Sequence, residues 1–261
     1  MSNQKILPIP LKYRPSKFNE LIGQDLMAKT IQNAIQMKRV ANAYLLTGVR
    51  GVGKTTTARI VAKSLNCTSI GENSEEFQES CGECENCLAI SESRSVDVFE
   101  MDAASRTGIS DIRELIEGVQ YAPVSSKYKI YIIDEVHMLS TAAFNGLLKT
   151  LEEPPSHLKF IFATTEVRKI PVTIISRCQR FDLHRVPVKN LVENLNRILK
   201  IENGKISEGA LKLIAKAAEG SVRDSLSLLD RALASYNSEE KEIDEIFVRK
   251  MLGLADKSKL I

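Results

Sequence analysis

The sequence predicts an α/β fold: a mainly parallel sheet flanked by helices, followed by a small domain of three helices. Three observations lead there. Short β-branched or aromatic runs at Tyr44-Leu45-Leu46, Val96 to Met101, Ile130 to Ile133 and Phe160 to Ala163 alternate with amphipathic stretches. This is the rhythm of βαβ units around a sheet buried on both faces. A glycine-rich loop, Gly48 to Thr55, joins the first run to a helical stretch at about residues 54–65. After Pro187 the strand runs stop.

Each element of the second part has its own pattern. Val188, Leu191, Val192, Leu195, Ile198 and Leu199 share one helical face. Leu211, Ile214, Ala215 and Ala218 repeat the spacing, and so do Val222, Leu226, Leu229 and Leu233. The expected division is a nucleotide-binding domain at 1–186, a helical lid at 187–236, and a linker with one helix at 237–261. That last segment is too small to form a core and is expected to be the truncated start of a third domain.

Composition excludes several classes. With 261 residues, 43% of them hydrophobic and 26% charged, the chain is not of the disordered kind. The longest unbroken hydrophobic runs are four residues, against about 20 for a spanning helix. Pro8 and Pro10 interrupt the only apolar stretch near the start, so no secretory signal is expected and the default compartment is the cytoplasm, where thiols stay reduced. The net charge is +3, yet residues 64–93 carry seven Glu and no Lys or Arg. Removing those seven negative charges leaves +10 on the rest, a body compatible with nucleic acid.

Gly48-Val49-Arg50-Gly51-Val52-Gly53-Lys54-Thr55 matches G-x-x-x-x-G-K-[ST] between a strand and a helix, as a P-loop requires. Gly48, Gly51 and Gly53 let backbone N–H groups curl round phosphate oxygens, and the helix N-terminus adds its positive end. Lys54 reaches the β and γ phosphates of ATP, Thr55 ligates Mg²⁺, and Thr56 completes the nucleotide-binding set. The strand Lys129 to Ile133 ends in Asp134-Glu135. Asp134 suits Mg²⁺ held through water, and Glu135 suits a general base on the attacking water. Gly220-Ser221-Val222-Arg223-Asp224 has the form of a capping box, which would set Arg223 at a helix start where it can meet a γ-phosphate. His137 has no partner at metal-ligand spacing and is expected to be structural, while His157 and His184 carry no signal.

Cys67-x13-Cys81-x2-Cys84-x2-Cys87 places four thiolates within 21 residues. Two-residue spacers let sulfurs converge on one ion, and four of them close a structural Zn²⁺ shell. An iron–sulfur cluster is the rival, but the x3-C-P continuation is missing after Cys87; unligated or disulfide states are the others. The acidic surroundings would repel phosphates, so the insert is expected to contact protein or staple a loop. Cys178 stands apart as a buried small hydrophobe.

Taken together, Tyr13-Arg14-Pro15, Ile22-Gly23-Gln24, the P-loop, Asp134-Glu135-Val136-His137, Leu151 to Pro155, Thr164-Thr165, Ser176-Arg177-Cys178 and Gly220 to Asp224 follow one order. That order resembles the AAA+ clamp-loader ATPases over about residues 8–240, and the cysteine insert narrows the resemblance to the gamma/tau subunits of bacterial DNA polymerase III. The resemblance implies an AAA+ sheet with a Cys₄ zinc insert and a three-helix lid. It makes Thr165 a γ-phosphate sensor, Arg177 an arginine finger on a neighbouring subunit's ATP, Arg223 the lid sensor, and Tyr13 with Ile22-Gly23-Gln24 neighbours of the adenine. It implies an ATPase counted with DNA-directed DNA polymerase but lacking a polymerase site. In full length it would join other loader subunits in a hetero-pentamer that opens a sliding clamp on primed DNA. Arg106 and Arg113, flanking the N-cap Ser110, suit a backbone phosphate of DNA, with a plain solvated helix start as the equal alternative. The alternatives are another AAA+ DNA motor, a helicase loader, a nucleotide-gated scaffold without turnover, or a zinc-dependent nucleic-acid module.

Overall fold

The computed structural model describes residues 7–70, 77–105, 115, 117–235 and 242–254. The segment holding Arg106, Ser110 and Arg113 lies outside them.

Five strands form one wholly parallel sheet: β1 (Ala43–Thr47), β2 (Val98–Asp102), β3 (Lys129–Asp134), β4 (Leu158–Thr164) and β5 (Gln179–Asp182), in the order β2-β3-β4-β1-β5. All of β1 and β4 is buried, which explains why their sequences are continuous apolar runs without alternation. Register is set by direct pairs such as Leu45 with Phe162 and Tyr131 with Phe160. Phe160 and Phe162 stack at 5.5 Å, and Phe160, Phe162, Phe144, Leu147 and Ile133 join one core. The edge strand β5 has no run to announce it, because only Phe181 is even half-buried along it.

Among the helices, α1 is Ile9–Lys12, α2 Asp25–Gln36, α3 Lys54–Asn66, α4 Glu85–Ser91, α5 Thr141–Glu152 and α6 Val172–Ile175. The rest are α7 Val188–Ile201, α8 Glu208–Ala217, α9 Val222–Ala234 and α10 Glu245–Met251. The molecule divides into two compact units. The sheet unit comprises Pro15–Val49 and Gly53–Leu183; the helical unit comprises Met1–Arg14, Arg50–Val52 and His184–Ile261.

In the helical unit, Leu191, Leu195, Ile198, Leu211, Ile214, Leu226 and Leu229 are buried, the positions that the 3.6-residue spacing picks out. Ser207, Ser221 and Asp244 cap α8, α9 and α10 through their side chains. The capping box at Ser221 forms only by half. Its hydroxyl accepts the Asp224 amide at 3.1 Å, but its own N–H goes to the Ala218 carbonyl at 2.8 Å, because the chain turns through Gly220 just before it. The Ile9 N–H donates to Asp230 of α9 at 3.3 Å, which ties the N-terminal segment to this unit.

Candidate nucleotide and metal sites

A parallel sheet gathers its functional groups at the carboxyl ends of its strands. The P-loop leaves β1, Asp134 ends β3, and Thr164 ends β4, which lies between those two strands, with Thr165 next in the chain. The strand order therefore brings together residues more than 100 positions apart.

Lys54 starts α3 and is buried, with Nζ donating to the Gly48 and Val49 carbonyls at 2.9 and 3.1 Å. Burial lowers its pKa, while the negative charges of Glu135 and Asp134 act against that shift. The Thr55 hydroxyl donates to Asp134 Oδ2 at 2.5 Å, so the two predicted Mg²⁺ ligands already touch. Both are hard oxygen donors, the kind Mg²⁺ takes. Gly51 and Gly53 have φ of +81° and +108°, where L side chains are strained. A Cβ on Gly51 would also come within 2.0 Å of Ser221 Oγ.

Glu135 has φ +46°, an uncommon left-handed conformation for a residue with a side chain. Its Oε2 accepts two hydrogen bonds from Thr165, from the amide at 3.1 Å and the hydroxyl at 3.0 Å. The predicted base and the predicted phosphate sensor are thus in direct contact. Arg177, at the end of α6, donates to Glu152 Oε1 at 2.5 Å and to the Thr173 carbonyl at 2.6 Å. In the helical unit Arg223 is exposed, and its amide donates to the Gly51 carbonyl at 3.2 Å. Tyr13 also belongs to that unit, with its hydroxyl bonded to Glu202 of the turn after α7. Thr56 follows Thr55 on α3 and is half-buried.

The four cysteines converge as the spacing predicts. All four sulfurs lie within 4.8 Å of one another, with Cys67–Cys81 at 3.6 Å and Cys67–Cys84 at 4.0 Å. A tetrahedron with bonds of about 2.3 Å has sulfur–sulfur edges of about 3.8 Å, so the set is compatible with zinc. Backbone amides support it: Glu83 and Cys84 donate to Cys81 Sγ at 3.4 and 3.2 Å. The Ser69 hydroxyl, ahead of those amides, pulls the Cys81 thiol down to about 6, toward the thiolate a metal needs. Burial pushes Cys87 upward, and burial raises Cys178, outside the cluster, to about 12.

Spacing did not reveal what the insert holds. Glu79 accepts from the amides of Phe18 and Asn19 and from Gln32, each at 3.2 Å, and Phe77 meets Phe18 edge-on at 5.9 Å. Nor did spacing reveal the neighbours of His137, whose Nδ1 lies 3.0 Å from Thr164 Oγ1 and 3.3 Å from Glu135 Oε2. Its neighbour in sequence, the Asp134-Glu135 pair, was the only available signal.

Two family profiles match the chain: "DNA polymerase III, delta subunit" over residues 23–187, and "DNA polymerase III clamp loader subunit, ATPase lid domain" over 190–238. The chain belongs to the DNA polymerase III clamp-loader family. It is 50% identical over 222 residues to the DNA polymerase III subunit tau of Bacillus subtilis, covering 85% of this chain and 38% of that protein. The Escherichia coli subunit tau is 47% identical over 246 residues, covering 94% and 37%. The chain thus spans little more than a third of the length of these relatives. Among solved structures, the Thermotoga maritima RuvB Holliday junction branch migration motor has a TM-score of 0.65 at 21% identity, over 92% of this chain and 72% of that one. This likeness establishes a shared fold. Among the described residues, no helix is long and apolar enough to cross a membrane.

Proposed function

We propose that this clamp-loader family member is an ATPase whose ATP binding drives opening of a sliding clamp and its loading on primed DNA, with hydrolysis releasing the clamp. The observation that carries the reading is the meeting of three pairs at the ends of β1, β3 and β4: Lys54 on its own loop carbonyls, Thr55 on Asp134, and Thr165 on Glu135. In this reading Lys54 offsets charge on the β and γ phosphates while loop amides hold the remaining oxygens. Thr55 and Asp134 would hold Mg²⁺, which supplies charge neutralisation between those phosphates. Glu135 takes a proton as water attacks the γ-phosphorus and the bond to the bridging oxygen of the departing ADP breaks. Thr165 donates to a γ-phosphate oxygen, Arg223 senses it from the helical unit, and Tyr13 lies near the adenine.

Arg177 acts on the ATP of a neighbouring subunit, and its bond to Glu152 parks it until that neighbour arrives. Cys67, Cys81, Cys84 and Cys87 hold a structural zinc. The working form is the full-length protein in a cytoplasmic hetero-pentamer, counted within the DNA polymerase III holoenzyme but without a polymerase site of its own. A chain alone therefore binds ATP and turns it over slowly.

The test is clamp-loading reconstitution with the full-length chain, wild type against Lys54→Ala. The wild type should load clamp in an ATP-dependent manner, and Lys54→Ala should abolish loading along with ATP binding. Equal loading by the two would overturn the assignment.

A further inference from the structure

Sequence patterning leaves His137 to a packing role, yet its ring is in polar company. Its side chain is only 6% exposed, and both nitrogens meet oxygens. Nδ1 lies 3.0 Å from Thr164 Oγ1 and 3.3 Å from Glu135 Oε2, while Nε2 lies 3.6 Å from Glu166 Oε1. Glu166 is in turn paired with Lys169 Nζ at 2.9 Å, and its amide donates to Thr164 Oγ1 at 3.0 Å.

The proton on Nδ1 is assigned from Glu135 Oε2, which can only accept, whereas the Thr164 hydroxyl serves that nitrogen as donor or acceptor. A bare Nδ1 would set its lone pair against Glu135 Oε2 and leave an Nε2–H facing an oxygen too distant for a good hydrogen bond. An Nδ1–H, by contrast, has Thr164 Oγ1 at 3.0 Å and Glu135 Oε2 at 3.3 Å in range.

We propose that His137 is a positioning residue for ATP hydrolysis, presenting Nδ1–H to the Glu135 and Thr164 oxygens and so fixing how the Glu135 carboxylate faces the attacking water. With the Thr165 amide, this makes Oε2 the anchored oxygen, and the Thr165 hydroxyl that also meets it is free to turn to the γ-phosphate. Oε1 takes no part in these contacts and is the one that receives the proton. The inference rests on the reading of Glu135 as the base and goes one step beyond it, to the group that aims the base.

The experiment measures kcat and KM for ATP, affinity for a non-hydrolysable ATP analogue, and melting temperature. It uses the full-length chain assembled with its partner subunits, carrying His137→Leu, His137→Asn or Glu135→Gln. His137→Leu should lower kcat about tenfold, a part of what general-base catalysis supplies, with KM and analogue affinity within about twofold. His137→Asn, whose amide nitrogen falls near the Nδ1 position, should restore kcat to within about threefold. An unchanged kcat in His137→Leu would overturn the proposal while leaving the base reading intact, provided Glu135→Gln is inactive. Equal loss in the Leu and Asn variants, together with lowered melting temperature, would also overturn it and leave packing as the role. If Glu135→Gln retains full kcat, the base reading falls and takes this one with it. Should His137→Leu fail to fold, His137→Asn against His137→Gln decides, since Gln sets its amide at the Nε2 position; equal kcat in these two refutes the assignment.

Discussion

Replacing Gly51 by Ala tests the close approach at the tip of the P-loop. At φ +81° an alanine carries left-handed strain of about 1 kcal/mol. Its Cβ would sit 2.0 Å from Ser221 Oγ and 3.1 Å from Ser221 Cβ, so the hydroxyl must swing away. Swinging away surrenders the N-cap of α9, worth about 1 kcal/mol more. The sum, about 2 kcal/mol, corresponds to a fall on the order of 10 °C for a unit the size of the helical one. Differential scanning calorimetry of Gly51→Ala measures this directly. The double variant Gly51→Ala/Ser221→Gly removes the clashing atom, and glycine at an N-cap costs only a few tenths of a kcal/mol. It should therefore recover about 1 kcal/mol relative to the single variant, a coupling that independent sites do not show. A single variant that melts like wild type, or a double variant whose loss is the plain sum of the two singles, would refute the reasoning.

Two further outcomes are expected. Asp97 is buried, which would raise its pKa, but the amides of Val124, Ser125 and Ser126 and the Ser125 hydroxyl outweigh burial and hold it below its usual value. Its stabilisation is complete above the unfolded value of about 3.9 and fades as pH falls through the folded one. Asp97→Asn should lower the melting temperature by about 5 °C near neutrality and flatten the acid limb; melts between about pH 3 and 7 that keep the wild-type slope would contradict this. For the cysteine cluster, chelation should expose Cys81 to iodoacetamide, with a rate that is half-maximal near its pKa of about 6 rather than at the usual thiol value of about 8.5. Added zinc should block the reaction, and a rate indifferent to chelator would remove the metal.

The parts of the fold legible in sequence were those whose burial leaves a local mark. The runs Ile130 to Ile133 and Phe160 to Ala163 read as strands because β3 and β4 are covered on both faces. Strand β5 escaped because an edge position lets Arg180 and Asp182 face solvent. At the site, residue type and spacing picked out Lys54, Thr55, Asp134 and the four cysteines, whose chemistry is local to a motif. The reach of Glu79 to Phe18 and Asn19, 60 or so positions away, has no local signature, since any exposed glutamate in the acidic insert could have made it. The contacts of His137 were illegible for the same reason: its partners Thr164 and Glu166 come from the next strand end, and only the parallel pairing of β3 with β4 delivers them.

Helix α3 begins at Lys54, the proposed phosphate-binding lysine, and stops at Asn66, one residue short of Cys67, a proposed zinc ligand. Thirteen residues make a shaft about 20 Å long, and its middle, Ala58 through Ala62 apart from Arg59, is sealed in the core. Inserting or deleting one residue within it would turn the far end by about 100° relative to the near end. Either the lysine or the cysteine would then miss its mark. The two ends are thus locked to a common count, and any chimera exchanging the cysteine insert between relatives must import the shaft unchanged in length.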